Sequence, residues 1–143
     1  MKITDHWQFY AWGSAFFAGL VAILAKIGIA NIPSNLVTLI RAVIISIFLI
    51  ILVSIRGEWM SPGKFDHRSL IFIVLSALAT GISWLFYFRA LQMAPASSVA
   101  PIDKLSLVFS VILAVIFLGE QLNGWQWGGV GLMVLGALIV GMK

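Results

Sequence analysis

The sequence predicts an all-α integral membrane protein of five transmembrane helices, and two observations carry that prediction. Hydrophobic residues make up 62% of the 143 and charged residues only 10%, with a mean hydropathy of +1.09, whereas an average soluble domain is about a quarter charged. The apolar residues also gather into five runs, each close to the ~20 residues that cross ~30 Å of hydrocarbon. Only helices and closed barrels cross lipid with every backbone group satisfied, and runs of this length without strict alternation are helices. One domain spanning 1–143 is expected, with helices at about 7–29, 36–55, 69–91, 99–118 and 125–142.

The first span, Trp7 to Ile29, follows a short polar start whose Lys2 is offset by Asp5. It is longer than the apolar core of a signal peptide, so a retained helix is expected. Ala11, Ala15 and Gly19 recur at steps of four, a small-residue stripe on which another helix can pack closely in lipid. Asn31, Pro33, Ser34 and Asn35 break the chain before the second span, Leu36 to Ile55. That span carries Arg41, three residues after Thr38. Its guanidinium either snorkels to the headgroups or stands as an intramembrane charge with a functional role.

Arg56 to Arg68, with Gly57, Pro62 and Gly63, forms the longest polar connection. On the third span, Ser69 to Leu91, Ser76, Thr80, Ser83 and Tyr87 fall at steps of four, three and four and share one helix face. Trp84 stands beside that face and Arg89 at its end. Such a stripe either lines a path or satisfies itself by bonding back to the preceding turn. Pro95 and Ser97 open the next segment. The fourth span, Val99 to Leu118, places Asp103 and Lys104 side by side, and Asp103, Ser106, Ser110 and Ala114 share a face at steps of three, four and four. A charge pair inside a spanning segment is costly and marks a functional candidate; near a helix start, the same pair sits comfortably against the headgroups. The fifth span, Trp125 to Met142, has one stripe through Gly124, Gly128 and Gly136 and another through Gly129, Met133, Ala137 and Gly141. Two packing faces on one helix point to contact with another subunit.

The net charge is +4, but the basic residues are scattered at helix ends and in one loop, which excludes a nucleic-acid footprint. Cysteine is absent, so there is no disulfide framework or thiolate metal site. His6 and His67 lie outside the apolar runs, and no nucleophile with a partnered base appears. No cofactor, no metal and no enzymatic activity are expected. With the N-terminus on one surface, that surface receives Lys2, Arg56, Lys64 and Arg68. The other receives Lys26, Arg41, Arg89, Lys104 and Lys143. Four against five gives the positive-inside rule nothing to act on. A weakly biased chain with an odd number of spans can insert both ways and pair with itself as an inverted dimer, the arrangement that places a transported substrate near the midplane.

The run from Leu85 to Gly141, with APASSVAP at 94–101 and FLGE at 117–120 followed by a tryptophan- and glycine-rich last helix, closely resembles the second half of an EamA repeat of the drug/metabolite transporter superfamily. WGSAFFAGLVAILAKIGIANIPSNLVTLIRAVI looks like that repeat's opening pair of helices. The resemblance implies one EamA-type repeat, half of the inverted pair that larger relatives fuse into ten helices. It also implies a central cavity bordered by the third and fourth helices. The related four-helix multidrug exporters use a carboxylate in their first helix; residues 7–29 contain none, which argues against that device here.

These readings converge on a secondary transporter or exporter of a small polar metabolite, acting by alternating access as an antiparallel homodimer, or as a heterodimer with another five-helix chain. Membrane lipid and a small-molecule substrate are its expected partners. Its expected place is the cell membrane, the cytoplasmic membrane in a prokaryote. Thr80, Ser83, Trp84, Tyr87, Ser106 and Ser110 are the candidate cavity lining, and Arg41, Asp103 and Lys104 the candidate charges at one mouth. A non-transporting subunit of a larger complex and a lipid-headgroup flippase are the alternatives.

Overall fold

The computed structural model describes residues 7–61 and 65–141; Lys2, Lys64 and Lys143 of the charge comparison lie outside them. Regular structure among the described residues is helical throughout: α1 Trp7–Gly28, α2 Ser34–Arg56, α3 His67–Met93, α4 Ala96–Asp103, α5 Leu105–Leu113 and α6 Gly124–Gly141, with a π-helical turn Ala114–Leu118 continuing α5. α1, α2, α3, the run Ala96–Leu118 and α6 are the five helices long and apolar enough to span a membrane. The chain is a multi-pass membrane protein. At most 11% of any span's apolar window is buried within the chain, as expected where lipid tails rather than a protein core cover apolar side chains.

Local chemistry sets the helix ends. Asp66 accepts the Ser69 backbone N–H at 3.2 Å and the Ser69 hydroxyl at 3.4 Å, so α3 begins at His67, ahead of the apolar run that announces it. Gly57 ends α2 in the left-handed region at φ 66. Its N–H donates to the Ser54 carbonyl and that of Glu58 to the Val53 carbonyl, the paired bonds of a Schellman motif. At α6, Asn123 Oδ1 accepts the Gln126 N–H at 2.9 Å while Gln126 Oε1 accepts the Asn123 N–H at 2.7 Å, a reciprocal cap satisfying two orphan donors.

The fourth span departs from the continuous helix expected at 99–118. It starts at Ala96, directly after Pro95, and is interrupted at Lys104, where ψ is −9 and α4 gives way to α5. Pro101 inside α4 has no N–H to offer the Ser97 carbonyl, which weakens the helix just before the break. The π turn then closes on Gly119 at φ 69, and the Glu120 N–H donates to the Ala114 carbonyl at 3.4 Å. Only glycine adopts that φ without steric cost, which explains the glycine of FLGE.

The chain divides into two compact units, Gly28–Gln92 and Met1–Ile27 with Met93–Lys143. In the first, Ser34, Val37 and Thr38 of α2 and Phe88 and Leu91 of α3 are buried. Gln92 Nε2 donates to the Ile32 carbonyl at 2.8 Å, tying the end of α3 to the connection before α2, and Arg89 donates to Gln92 Oε1 at 3.3 Å. In the second, α6 packs on α4 and α5. Val99, Val108 and Ala137 are buried, and Gly141 lies against Ile102. Of the second stripe, Ala137 and Gly141 are thus taken up by the chain's own α4 side, whereas Gly129 and Met133 stay exposed. Gly124, Gly128 and Leu132 stay exposed. On α1, burial falls on Ala22 and Ala25, beyond the exposed Ala11, Ala15 and Gly19. Lys26 Nζ donates to the Ala94 carbonyl at 2.8 Å, fastening the end of α1 to the joint before α4.

Candidate functional site

Within the Gly28–Gln92 unit, the sequence-selected residues gather around Arg41. Seven residues after Ser34 on α2, Arg41 lies about 10 Å along the helix from its start at 1.5 Å per residue. That is deeper than a helix starting at Leu36 would put it. Its guanidinium carbon stands 5.0 Å from the Phe88 ring centroid and 6.0 Å from that of Trp84, both within cation–π range. Trp84 and Phe88 are one turn apart on α3 and so present their rings to the same neighbour. Arg41 and Trp84 are half-buried and Phe88 is only 1% exposed. Arg41 Nε is enclosed and has no hydrogen-bond partner. The guanidinium rests on an aromatic floor.

The polar face of α3 is divided in character. Thr80 donates its hydroxyl to the Ser76 carbonyl at 2.9 Å, so it satisfies itself on the preceding turn while its oxygen can still accept. Ser83 is exposed, and Tyr87 is half-buried with its ring 5.5 Å from that of Phe88. A groove of about 520 Å³ opens between Pro33, Ser34 and Asn35 at the start of α2 and Phe86, Arg89 and Gln92 on α3. None of the nine candidate residues lines it.

Within the other unit, Asp103 and Lys104 occupy the helix break. Asp103 is seven residues beyond Ala96, about 10 Å into the span, and is not in a first turn. Lys104 Nζ approaches Asp103 Oδ2 at 3.4 Å, with the two side chains 50% and 31% exposed. This neighbour pair keeps each charge partly compensated. Ser106 is exposed at the start of α5, and Ser110 returns its hydroxyl to the Ser106 carbonyl at 2.9 Å.

The structure thus joins Arg41 with Trp84, and Asp103 with Lys104. Phe88 was missed by sequence reasoning, although the four-residue spacing of Trp84 and Phe88 was available as a signal. Lys26, counted only as a surface charge, and Arg89, placed at the end of the polar face of the third span, both act as hydrogen-bond donors within the chain.

A family model described as the EamA-like transporter family matches residues 6–142. The "uncharacterized transporter in cobO 3'region" of a Sinorhizobium species is 47% identical over 138 residues, covering 96% of this chain and 98% of that protein. Human solute carrier family 35 member G1 is 34% identical over 123 residues, 85% of this chain and 33% of its own length. A probable 4-amino-4-deoxy-L-arabinose-phosphoundecaprenol flippase subunit ArnE, from Aeromonas hydrophila, is 32% identical over 69 residues, 48% of this chain and 60% of that subunit. No solved structure matches.

Proposed function

Because the chain belongs to the EamA-like transporter family, we propose that it is a secondary transporter of a small polar metabolite, assembled as an antiparallel homodimer of two oppositely inserted copies. In this reading residues 1–143 act as one transmembrane domain, and the dimer supplies the inverted pair needed for alternating access. The observation that carries the proposal is the interruption of the fourth span at Lys104, inside an apolar helix and flanked by Asp103. Lys104 stays in the right-handed helical region and its N–H still bonds the Ala100 carbonyl at 3.1 Å, so the discontinuity is a tightened turn carrying the charge pair, and helix discontinuities are where transporters place substrate-facing charge. Arg41, Thr80, Ser83, Trp84, Tyr87, Asp103, Lys104, Ser106 and Ser110 are the proposed substrate contacts. The even division of Lys and Arg, four against five, supports insertion in both orientations.

The test uses Met60→Cys, an exposed neutral position in the α2–α3 connection of a chain that has no other cysteine. The substitution leaves the charge balance untouched. An impermeant thiol reagent should label about half of the protein in intact cells and all of it after permeabilisation, as two equally favoured topologies require. Labelling of nearly all or nearly none from outside would refute dual topology. The same chain in proteoliposomes should then drive uptake of a polar solute. A second reading, a subunit of a heteromeric flippase, is favoured by the similarity to the ArnE subunit. It requires a single orientation and co-purification of an oppositely inserted five-helix partner.

A further inference from the structure

We infer that Arg41, seated on Phe88 and Trp84, is an oxyanion-binding site, so that the ligand carries a carboxylate or phosphate that supplies the charge this unit withholds. As an account of cargo the inference rests on the transporter reading above; as an account of binding it stands on geometry.

The argument is one of missing compensation. A cation within a membrane-spanning segment pairs with an anion or faces water, because the uncompensated charge is costly in a low dielectric. Aromatic faces attract a guanidinium but bring no opposite charge. The carboxylates of the Gly28–Gln92 unit, Glu58 and Asp66, are both committed elsewhere: Glu58 pairs with Arg56 at 3.7 Å and Asp66 caps α3 through Ser69. Both also lie at the far end of the helices. Arg56 closes α2 fifteen residues after Arg41, about 22 Å along the axis. Thr38, one turn before Arg41, gives its hydroxyl to the Ser34 carbonyl at 2.9 Å. No hydrogen bond or ion pair engages Arg41 among the described residues, and its Nε is enclosed without a partner.

The arrangement is suited to receive an anion. A guanidinium is a planar fork of five donors matched to a carboxylate or phosphate, and its orientation must be fixed for both tines to engage. Phe88, 1% exposed, fixes the floor. Trp84 stands at 6.0 Å as a second ring, and it and Arg41 are both only half-buried. These ring contacts hold the guanidinium without consuming its donors. A soluble metabolite and a lipid phosphate present the same oxyanion chemistry to it.

The test measures tryptophan fluorescence of the full chain in phosphatidylcholine nanodiscs, titrated at constant ionic strength with inorganic phosphate and with acetate against chloride. A saturable response is expected that disappears in Trp84→Phe. It should weaken about tenfold or more in Arg41→Gln, the loss expected for a hydrogen-bonded charged donor. Arg41→Lys, which keeps the charge but not the fork, should fall between them; this guards against reading a misfolded variant as a loss of binding. Repeating the titration with phosphatidylglycerol in the disc separates the sources. Loss of the response to soluble anions there means that lipid phosphate takes the site, and its persistence means a soluble ligand. No response in the native chain in either disc, or a response unchanged in Arg41→Gln, overturns the inference. Uptake by proteoliposomes is scored separately. Anion binding without any uptake sinks the transporter reading alone, whereas uptake confined to neutral or cationic solutes and indifferent to Arg41→Gln sinks the inference alone.

Discussion

Gly141 of α6 stands so close to Ile102 of α4 that a Cβ on it would lie 2.5 Å from Ile102 Cγ1 and 2.8 Å from its Cδ1. No such contact survives without movement of the isoleucine. Gly141→Ala should therefore cost about 1–3 kcal/mol, the usual range for overpacking, read as a lower unfolding midpoint in detergent. Gly131→Ala is the matched control, because nothing lies within 4 Å of its added methyl. It should be neutral or stabilise by about 0.5–1 kcal/mol, the helix-interior preference of alanine over glycine. Equal effects at the two positions would contradict the close packing of α6 on α4.

Phe88 and Phe86 share α3 but differ in surroundings, with 1% and 75% of their surfaces exposed. Phe88→Ala should destabilise by about 3 kcal/mol or more, since a buried ring leaves a cavity. Phe86→Ala should change stability by less than about 0.5 kcal/mol, as for other surface positions. Thermal unfolding of the two variants in the same detergent decides the matter. The comparison also bears on Arg41, which loses its floor with Phe88 and keeps it when Phe86 is truncated.

The Lys26 ammonium holds the Ala94 carbonyl at 2.8 Å. Removing a charged donor from a partly buried acceptor costs about 1–3 kcal/mol. Lys26→Met should show this, together with faster amide exchange across the joint at 94–98. Faster exchange throughout the chain, without local enhancement at the joint, would mean that Lys26 acts on global stability and does not fasten this segment.

Much of this was legible in the sequence, and what was not has a common cause. Five spans could be read because a membrane imposes one length on every crossing, and apolar runs near that length are hard to mistake. Asp66 caps α3 so that it begins at His67, ahead of its apolar run, and Asn123 with Gln126 caps α6, while α2 and α4 begin directly after Pro33 and Pro95 with no side-chain cap. Periodicity in apolar residues does not see these caps. Pro101 was visible, but taking the fourth helix to begin at Val99 placed it in a first turn, where proline is harmless. With α4 beginning at Ala96, it lies inside the helix and precedes the break. For the candidate site, helical spacing grouped residues along one element correctly but gave no means of choosing a partner across elements. Arg41 was therefore assigned to a charged surface, while its neighbours are the rings of Trp84 and Phe88. The second stripe of α6 shows the same limit: spacing marks a face that can pack without saying which helix takes it, and only its Ala137 and Gly141 are covered within the chain.

The cap on α6 gives a local prediction. Asn123→Ala and Gln126→Ala should each cost about 1 kcal/mol, typical of a lost N-terminal cap. Because the two side chains bond reciprocally, the double variant should cost less than their sum, as residues in one network do. Amide exchange in the first turn of α6 is the readout. Strict additivity would mean that the two bonds form independently.

The last prediction follows from the charge balance and from the need for both orientations in an inverted dimer. Met60→Lys with Ser61→Lys and Gln121→Lys raises one surface from four basic residues to seven, against five on the other; Ala30→Lys with Asn31→Lys raises the other from five to seven, against four. These positions are exposed in connections or at a helix end, so their effect on folding should be small while their effect on insertion is large. Each biased variant, labelled at an added surface cysteine, should adopt one orientation, and the two orientations should be opposite. Neither alone should transport, because neither can supply the inverted copy. Co-expressed, they should restore uptake to near the level of the native chain, and should co-purify when only one carries an affinity tag. Full activity from a singly oriented variant by itself would show that the chain works without an inverted partner. Restoration only on adding a different five-helix chain would transfer the reading to the heteromeric flippase class.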